Sequence, residues 1–160
     1  MVKAVPEGFR TVTAGLCVSP ADEAITFYEK AFGAVTLTRM AMKGKVGHAE
    51  LKIGDSIIFL SDEFPEMPGC RAPRTLEGTT GGLYLYVPDV DAAFDRAVKA
   101  GAKVLMPVAD MFWGDRYGQV QDPFGHLWGL STHKEDLTPE QMAQRQQAFF
   151  ATVGTPGDKH

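Results

Sequence analysis

Landmarks in the first half of this 160-residue chain return in the second half at a nearly fixed distance. Val18, which ends an apolar run, recurs as Val87. Gly33-Ala34, which closes a helical pattern, recurs as Gly101-Ala102, and the turn glycine Gly54 recurs as Gly125. The separations are 69, 68 and 71 residues, so the register drifts by only a residue or two. No other feature restricts the fold so much. A chain of this length is one domain, or two small modules sharing a core. Two copies of such a unit are expected to face each other across a pseudo-twofold, so that the space between their sheets becomes one ligand cavity.

In the first copy, residues 11–18 are β-branched and apolar and read as a strand. Ser19-Pro20-Ala21-Asp22 is a helix start, with Ser19 as cap, Pro20 at the first helical position and Asp22 near the positive end of the dipole. Ala21, Ala24, Ile25, Tyr28, Ala31 and Phe32 share one face of that helix, and Gly33 ends it. Strands are expected over 35–42, 46–53 and 56–61, the last two joined at Gly54-Asp55. The second copy has a strand over 82–87 and a helix capped by Asp89, carrying Val90, Ala93, Phe94, Ala97 and Val98 and stopped by Gly101. Strands over 104–108, 116–121 and 126–132 follow, with Asp122-Pro123-Phe124-Gly125 as a turn.

The expected organisation is an N-terminal extension (1–10), a first βαβββ module (11–62), a Pro/Gly-rich linker (63–81), a second module (82–134), and a C-terminal helix and tail (135–160). Thr138-Pro139-Glu140-Gln141 opens that last helix as a capping box, and residues 154–160 are expected to fray. The fold class is α+β: tandem βαβββ modules forming a curved mixed sheet around a cavity.

Composition excludes several functions. The apolar fraction is 44% and the charged fraction 22%, ordinary for a soluble globular protein. No apolar run approaches the length of a membrane span, and residues 1–9 lack the apolar centre of a signal peptide. The net charge of −4, with no basic stripe, argues against nucleic acid as a partner. Cys17 and Cys70 show neither metal spacing nor a disulfide framework, and read as free thiols of a cytoplasmic protein.

Several segments carry a family resemblance. They are F-Y-E-K-A-F-G-A (27–34), H-A-E-L-K-I-G-D (48–55), L-Y-V-P-D-V-D (85–91), F-W-G-D-R-Y-G (112–118), D-P-F-G-H-L-W (122–128) and T-H-K-E-D-L-T-P-E (132–140). In this order the chain resembles the vicinal oxygen chelate superfamily, which includes glyoxalase I, fosfomycin- and bleomycin-resistance proteins and extradiol dioxygenases. The nearer resemblance is to its PhnB-like branch. It implies the tandem-module fold and a homodimer. Metal enzymes of that superfamily place histidine or carboxylate ligands on the first and last strand of each module. Here those points fall on Thr13, Ile58, Gly82 and Gly129, none of them a metal ligand. No metal and no cofactor is therefore expected.

Strand alternation then predicts the cavity lining. With Thr13 inward, Gly15 and Cys17 follow it, while Val12, Ala14, Leu16 and Val18 pack under the helix. In the second copy Gly82, Tyr84 and Tyr86 point in. His48 and Glu50 share one face of their strand, with Ala49 and Leu51 opposite, and Gln119 and Gln121 occupy the corresponding strand of the second copy. His48 and Glu50 are either ordinary polar residues of a solvated sheet face or an acid–base pair. Trp113 and Arg116 either belong to a structural turn, with Asp115 and Arg116 as an exposed ion pair, or contact an aromatic or anionic ligand. The candidate set is His48 and Glu50 for catalysis, and Tyr84, Tyr86, Trp113, Arg116, Gln119 and Gln121 for ligand binding. Three functions fit. One is a resistance-type binder of a small organic molecule, another a metal-independent lyase or isomerase using His48 and Glu50, and the third a metalloenzyme with relocated ligands.

Overall fold

The computed structural model describes residues 2–153, so the expected fraying of residues 154–160 lies outside the described residues. The first module runs β1 (Ala14–Val18), α1 (Ala21–Phe32), β2 (Val35–Met42), β3 (Lys45–Ile53) and β4 (Ser56–Asp62). After a short helix α2 (Pro73–Leu76) the second runs β5 (Gly82–Tyr86), α3 (Val90–Ala100), β6 (Lys103–Asp110), β7 (Asp115–Gln121) and β8 (Leu127–His133). Helix α4 (Pro139–Val153) closes the described chain. Each module is a four-stranded mixed sheet, ordered β1-β4-β3-β2 and β5-β8-β7-β6. The first strand of each lies parallel to the last.

Helix α1 begins differently from the sequence reading. Pro20 is the cap residue, not the first helical one, and Ser19 makes no cap bond. The open backbone donor of Ala21 is met instead by Asp62, whose Oδ1 accepts at 2.9 Å from the far end of β4. The second module uses the same device: Thr132 Oγ1, on β8, accepts from the Val90 amide at 2.8 Å. Asp89 also accepts from Ala92 as expected. Gly33 takes the left-handed conformation that ends α1. Thr138 and Gln141 form the predicted reciprocal cap of α4. Helix α2 is a single turn that no periodicity announces.

Helices α1 and α3 pack on one side of the sheets and on each other. Tyr28 and Phe32 from α1 lie against Trp128 of β8, with ring centroids 5.2 and 4.4 Å apart, so one aromatic core spans both modules. At its centre sits Asp122, whose carboxylate accepts from the Tyr28 hydroxyl (2.7 Å), Trp128 Nε1 (2.9 Å) and the amides of Phe124 and His126. Burial beside this carboxylate holds the Tyr28 phenol well above its usual range, so it remains a donor. The Asp-Pro-Phe-Gly turn is thus both a hairpin and the joint between modules. Strand β1 begins at Ala14, and Val12 is exposed rather than packed under the helix.

Candidate functional site

Alternation along the strands sends one set of side chains to the helices and leaves the other on the open faces. On the first module Leu16, Val18, Ala49, Leu51, Ile58 and Leu60 are core. Ile58 therefore does not occupy the expected last-strand site point; Phe59 faces outward in its place. The cause is register. Gly15 pairs with Phe59 and Tyr84 with Gly129, so the equivalent of Gly129 is Phe59, seventy positions earlier, and not Ile58.

His48 and Glu50 lie together on this face, half-buried, with Nε2 and Oε1 3.5 Å apart. The His48 ring meets the edge of Phe59 at 4.9 Å, and Phe9 packs on Phe59 from the other side at 5.8 Å. A recess of about 250 Å³ opens beside them, lined by His48, Phe59, Ser61, Cys17 and Cys70.

The open face of the second module is aromatic. Tyr84 and Tyr117 stack at 5.2 Å with planes 10° apart. Tyr86 lies 5.1 Å from Tyr84 on one side, and Trp113 lies 5.8 Å from Tyr117 on the other. Four rings thus form a row. Gly129 is the floor that permits it: a Cβ there would sit 2.8 Å from Tyr117 and 3.0 Å from Tyr84. Burial raises the Tyr117 phenol, with the nearby Tyr84 adding to it, so the Tyr117 ring stays neutral at physiological pH. Gln119 stands opposite Gly129, and Gln121 donates to the Gly125 carbonyl at 3.3 Å. Tyr117 escaped the sequence reading, although the alternation that placed Gln119 and Gln121 also places it.

Arg116 is elsewhere. It points to the helix side, where it donates to Asp91 at 2.7 and 2.8 Å and to Asp110 at 3.1 Å. The Asp115–Arg116 ion pair expected as one reading of this turn does not form. Asp115 turns to the open face instead and, 4% exposed, is held by His133 Nδ1 (2.7 Å) and the Tyr86 hydroxyl (3.2 Å). Burial pushes the Asp115 carboxyl up, but hydrogen bonds from His133, Ser131 and Tyr86 prevail and hold it below its usual range. His133, unremarked in sequence, is raised by its bonds to Asp115 and Asp136.

The predicted residues therefore form two groups. Tyr84, Tyr86, Trp113, Gln119 and Gln121 share the second module's face. His48 and Glu50 occupy the first module's, and no hydrogen bond or ring contact joins the groups among the described residues. The site points of the superfamily's metal enzymes offer no donor set: Phe59, Gly82 and Gly129 supply no ligand atom, and Thr13 only a hydroxyl. No three His, Cys, Asp or Glu side chains converge among the described residues. These residues do not fit the metal.

Paired βαβββ modules with helices on one side and an aromatic row on the other define a protein of the glyoxalase-like architecture. The chain belongs to the Glyoxalase/Bleomycin resistance protein/Dioxygenase superfamily, whose family model matches residues 10–130. It is 44% identical over 142 residues to an uncharacterized protein of Mycobacterium bovis, spanning 87% of this chain and 91% of that one. Among solved structures, TioX from Micromonospora sp. ML1 is 30% identical and superposes with a TM-score of 0.64, covering 78% of this chain and 98% of TioX. TnmS3, an antibiotic binding protein from Streptomyces sp. CB03234, is 26% identical with a TM-score of 0.60, covering 83% of this chain and all of TnmS3. A PhnB protein from Bacillus cereus, 19% identical, shares the fold (TM-score 0.60; 77% of this chain, 99% of that one).

Proposed function

We propose that this protein binds a small organic molecule with a flat aromatic portion, without a metal ion, on the open face of its second module. The Tyr84–Tyr117 stack flanked by Tyr86 and Trp113 carries the reading. A row of rings on a glycine floor presents π-faces to a planar ligand, and Gln119 supplies amide groups for its edge. An antibiotic-binding neighbour of the same fold supports it. The acidic chain suits a cationic ligand and not nucleic acid, and no described helix is long and apolar enough to cross a membrane. Exposed Leu37, Met40, Val104 and Leu105 on the outer strands, together with Tyr84 and Tyr86, suit a homodimer in which a partner covers the groove. The protein is a cytoplasmic one in this reading.

Acridine, a flat aromatic probe, tests it. Titration should quench Trp113, which lies beside the row, and Tyr117→Ala should weaken binding by about tenfold, the worth of one aromatic contact. Undiminished affinity in a Tyr84→Ala/Tyr117→Ala double variant would sink the proposal. The 3.5 Å approach of His48 to Glu50 favours a second reading, metal-independent lyase or isomerase chemistry with this pair as acid and base. Turnover of a bound compound that vanishes in His48→Gln while binding persists would establish it.

A further inference from the structure

The only two cysteines of the chain, 53 residues apart, meet in space. Cys17 lies on β1 facing the open side of the first module. Cys70 follows Gly69 in the segment between the modules, and the left-handed φ of 82° at Gly69 turns the chain back towards the sheet. Their Sγ atoms are 3.1 Å apart. Cys70 is further placed by Ser61 Oγ and by the Asp62 carbonyl, each at 3.4 Å. Both thiols are half-buried beside His48 and Phe59 in the 250 Å³ recess, so a small oxidant reaches them from solvent.

We propose that Cys17 and Cys70 are a redox-active dithiol, which hydrogen peroxide converts to an intramolecular disulfide that staples the inter-module segment to β1. The two sulfurs are already in contact, about 1 Å beyond the length of a disulfide bond. The atoms balance in two steps. The Cys70 thiolate attacks one peroxide oxygen; the O–O bond breaks, hydroxide leaves and takes a proton, and Cys70 becomes a sulfenic acid. The Cys17 sulfur then attacks the Cys70 sulfur; the S–S bond forms, the S–O bond breaks, and water leaves with the Cys17 proton. Both sulfurs are oxidised and both peroxide oxygens are reduced to water. Burial, followed by the hydrogen bond with Cys70, pushes the Cys17 thiol far above its usual range, which assigns the first attack to Cys70.

The staple would change the molecule locally. Cys70 lies in a segment whose Glu63 accepts from Arg71 and Thr75. A covalent tie fixes that segment against the wall of the recess that His48 shares. This inference is independent of ligand binding on the second module.

The full-length protein, reduced and then treated with equimolar hydrogen peroxide, tests it. Free thiols should fall from two to none. A monomer lighter by two hydrogens should appear, with the peptides holding Cys17 and Cys70 cross-linked, and its melting temperature should rise by about 5–10 °C over the reduced form. Cys70→Ser and Cys17→Ser should each remove the rise, and Cys17→Ser should leave a sulfenic acid on Cys70 that dimedone traps. Two dimedone adducts on the unaltered chain, intermolecular disulfides alone, or thiols that persist under peroxide would each overturn the proposal.

Discussion

One step along β7 separates two electrostatic neighbourhoods. Asp115 faces the aromatic side and gathers His133 and Tyr86, while Arg116 faces the helices and gathers Asp91 and Asp110. From sequence the two read equally well as partners of each other, because adjacency in the chain says nothing about which side of a sheet each residue takes until the strand is placed. His133 is where this matters for pH. Its folded pKa lies above the unfolded value near 6.5, because Asp115 and Asp136 favour the charged ring. The stabilisation is therefore complete below about pH 6, while Asp115 stays ionised, and disappears as pH rises through the folded pKa. A His133→Gln variant should melt below the unaltered protein at pH 5.5 and match it at pH 9, measured by circular dichroism. Equal differences at both pH values would show that His133 acts only by shape.

Strands were the most legible elements, and also where a small slip did the most damage. Alternation in β3 put His48 and Glu50 on the open face, and β5 gave Tyr84 and Tyr86 the same exposure. The repeat offset misplaced Ile58, since it is 71 at the Gly54/Gly125 turn and 70 within the following strands. One residue of drift exchanges core for surface. Helix α2 and the Asp62 cap were invisible because both depend on tertiary contacts, not on local pattern. Two glycines on neighbouring strands sharpen the difference between faces. At Gly118 a Cβ would lie 2.7 Å from the Phe94 ring and 3.0 Å from Val108 in the packed core, so Gly118→Ala should destabilise by about 1–3 kcal/mol in chemical denaturation. At Gly129 the obstruction is the free end of Tyr117, which can swing away. Gly129→Ala should leave stability nearly unchanged and weaken acridine binding; the reverse pattern would mean the faces are assigned wrongly.

The joint between the two modules is polar as well as aromatic, so the two are expected to unfold as one unit. Duplication was evident in the sequence, but the way the copies hold each other was not. Tyr28 had the look of any residue on an apolar helix face, and nothing local connects it with Asp122, 94 positions away. Asp122→Ala would leave the Tyr28 hydroxyl and the Trp128 indole buried without an acceptor, at a cost of about 3 kcal/mol or more. Tyr28→Phe, which removes only one donor, should cost about 1 kcal/mol. Urea unfolding followed by tryptophan fluorescence and far-ultraviolet circular dichroism should give coincident curves for both variants. Separate transitions would mean that each module folds alone.

The glycine floor beneath Tyr84 and Tyr117 also bears on the history open to such a scaffold. A histidine or glutamate at position 129 would occupy the volume those two rings now fill, and at position 82 a Cβ already meets the Leu127 carbonyl at 3.0 Å. A larger side chain at position 129 must push Tyr117 and Tyr84 aside, so a ligand placed there costs the stacked row. The aromatic groove and a metal centre at these points are thus competing uses of one volume, and a scaffold that keeps one gives up the other.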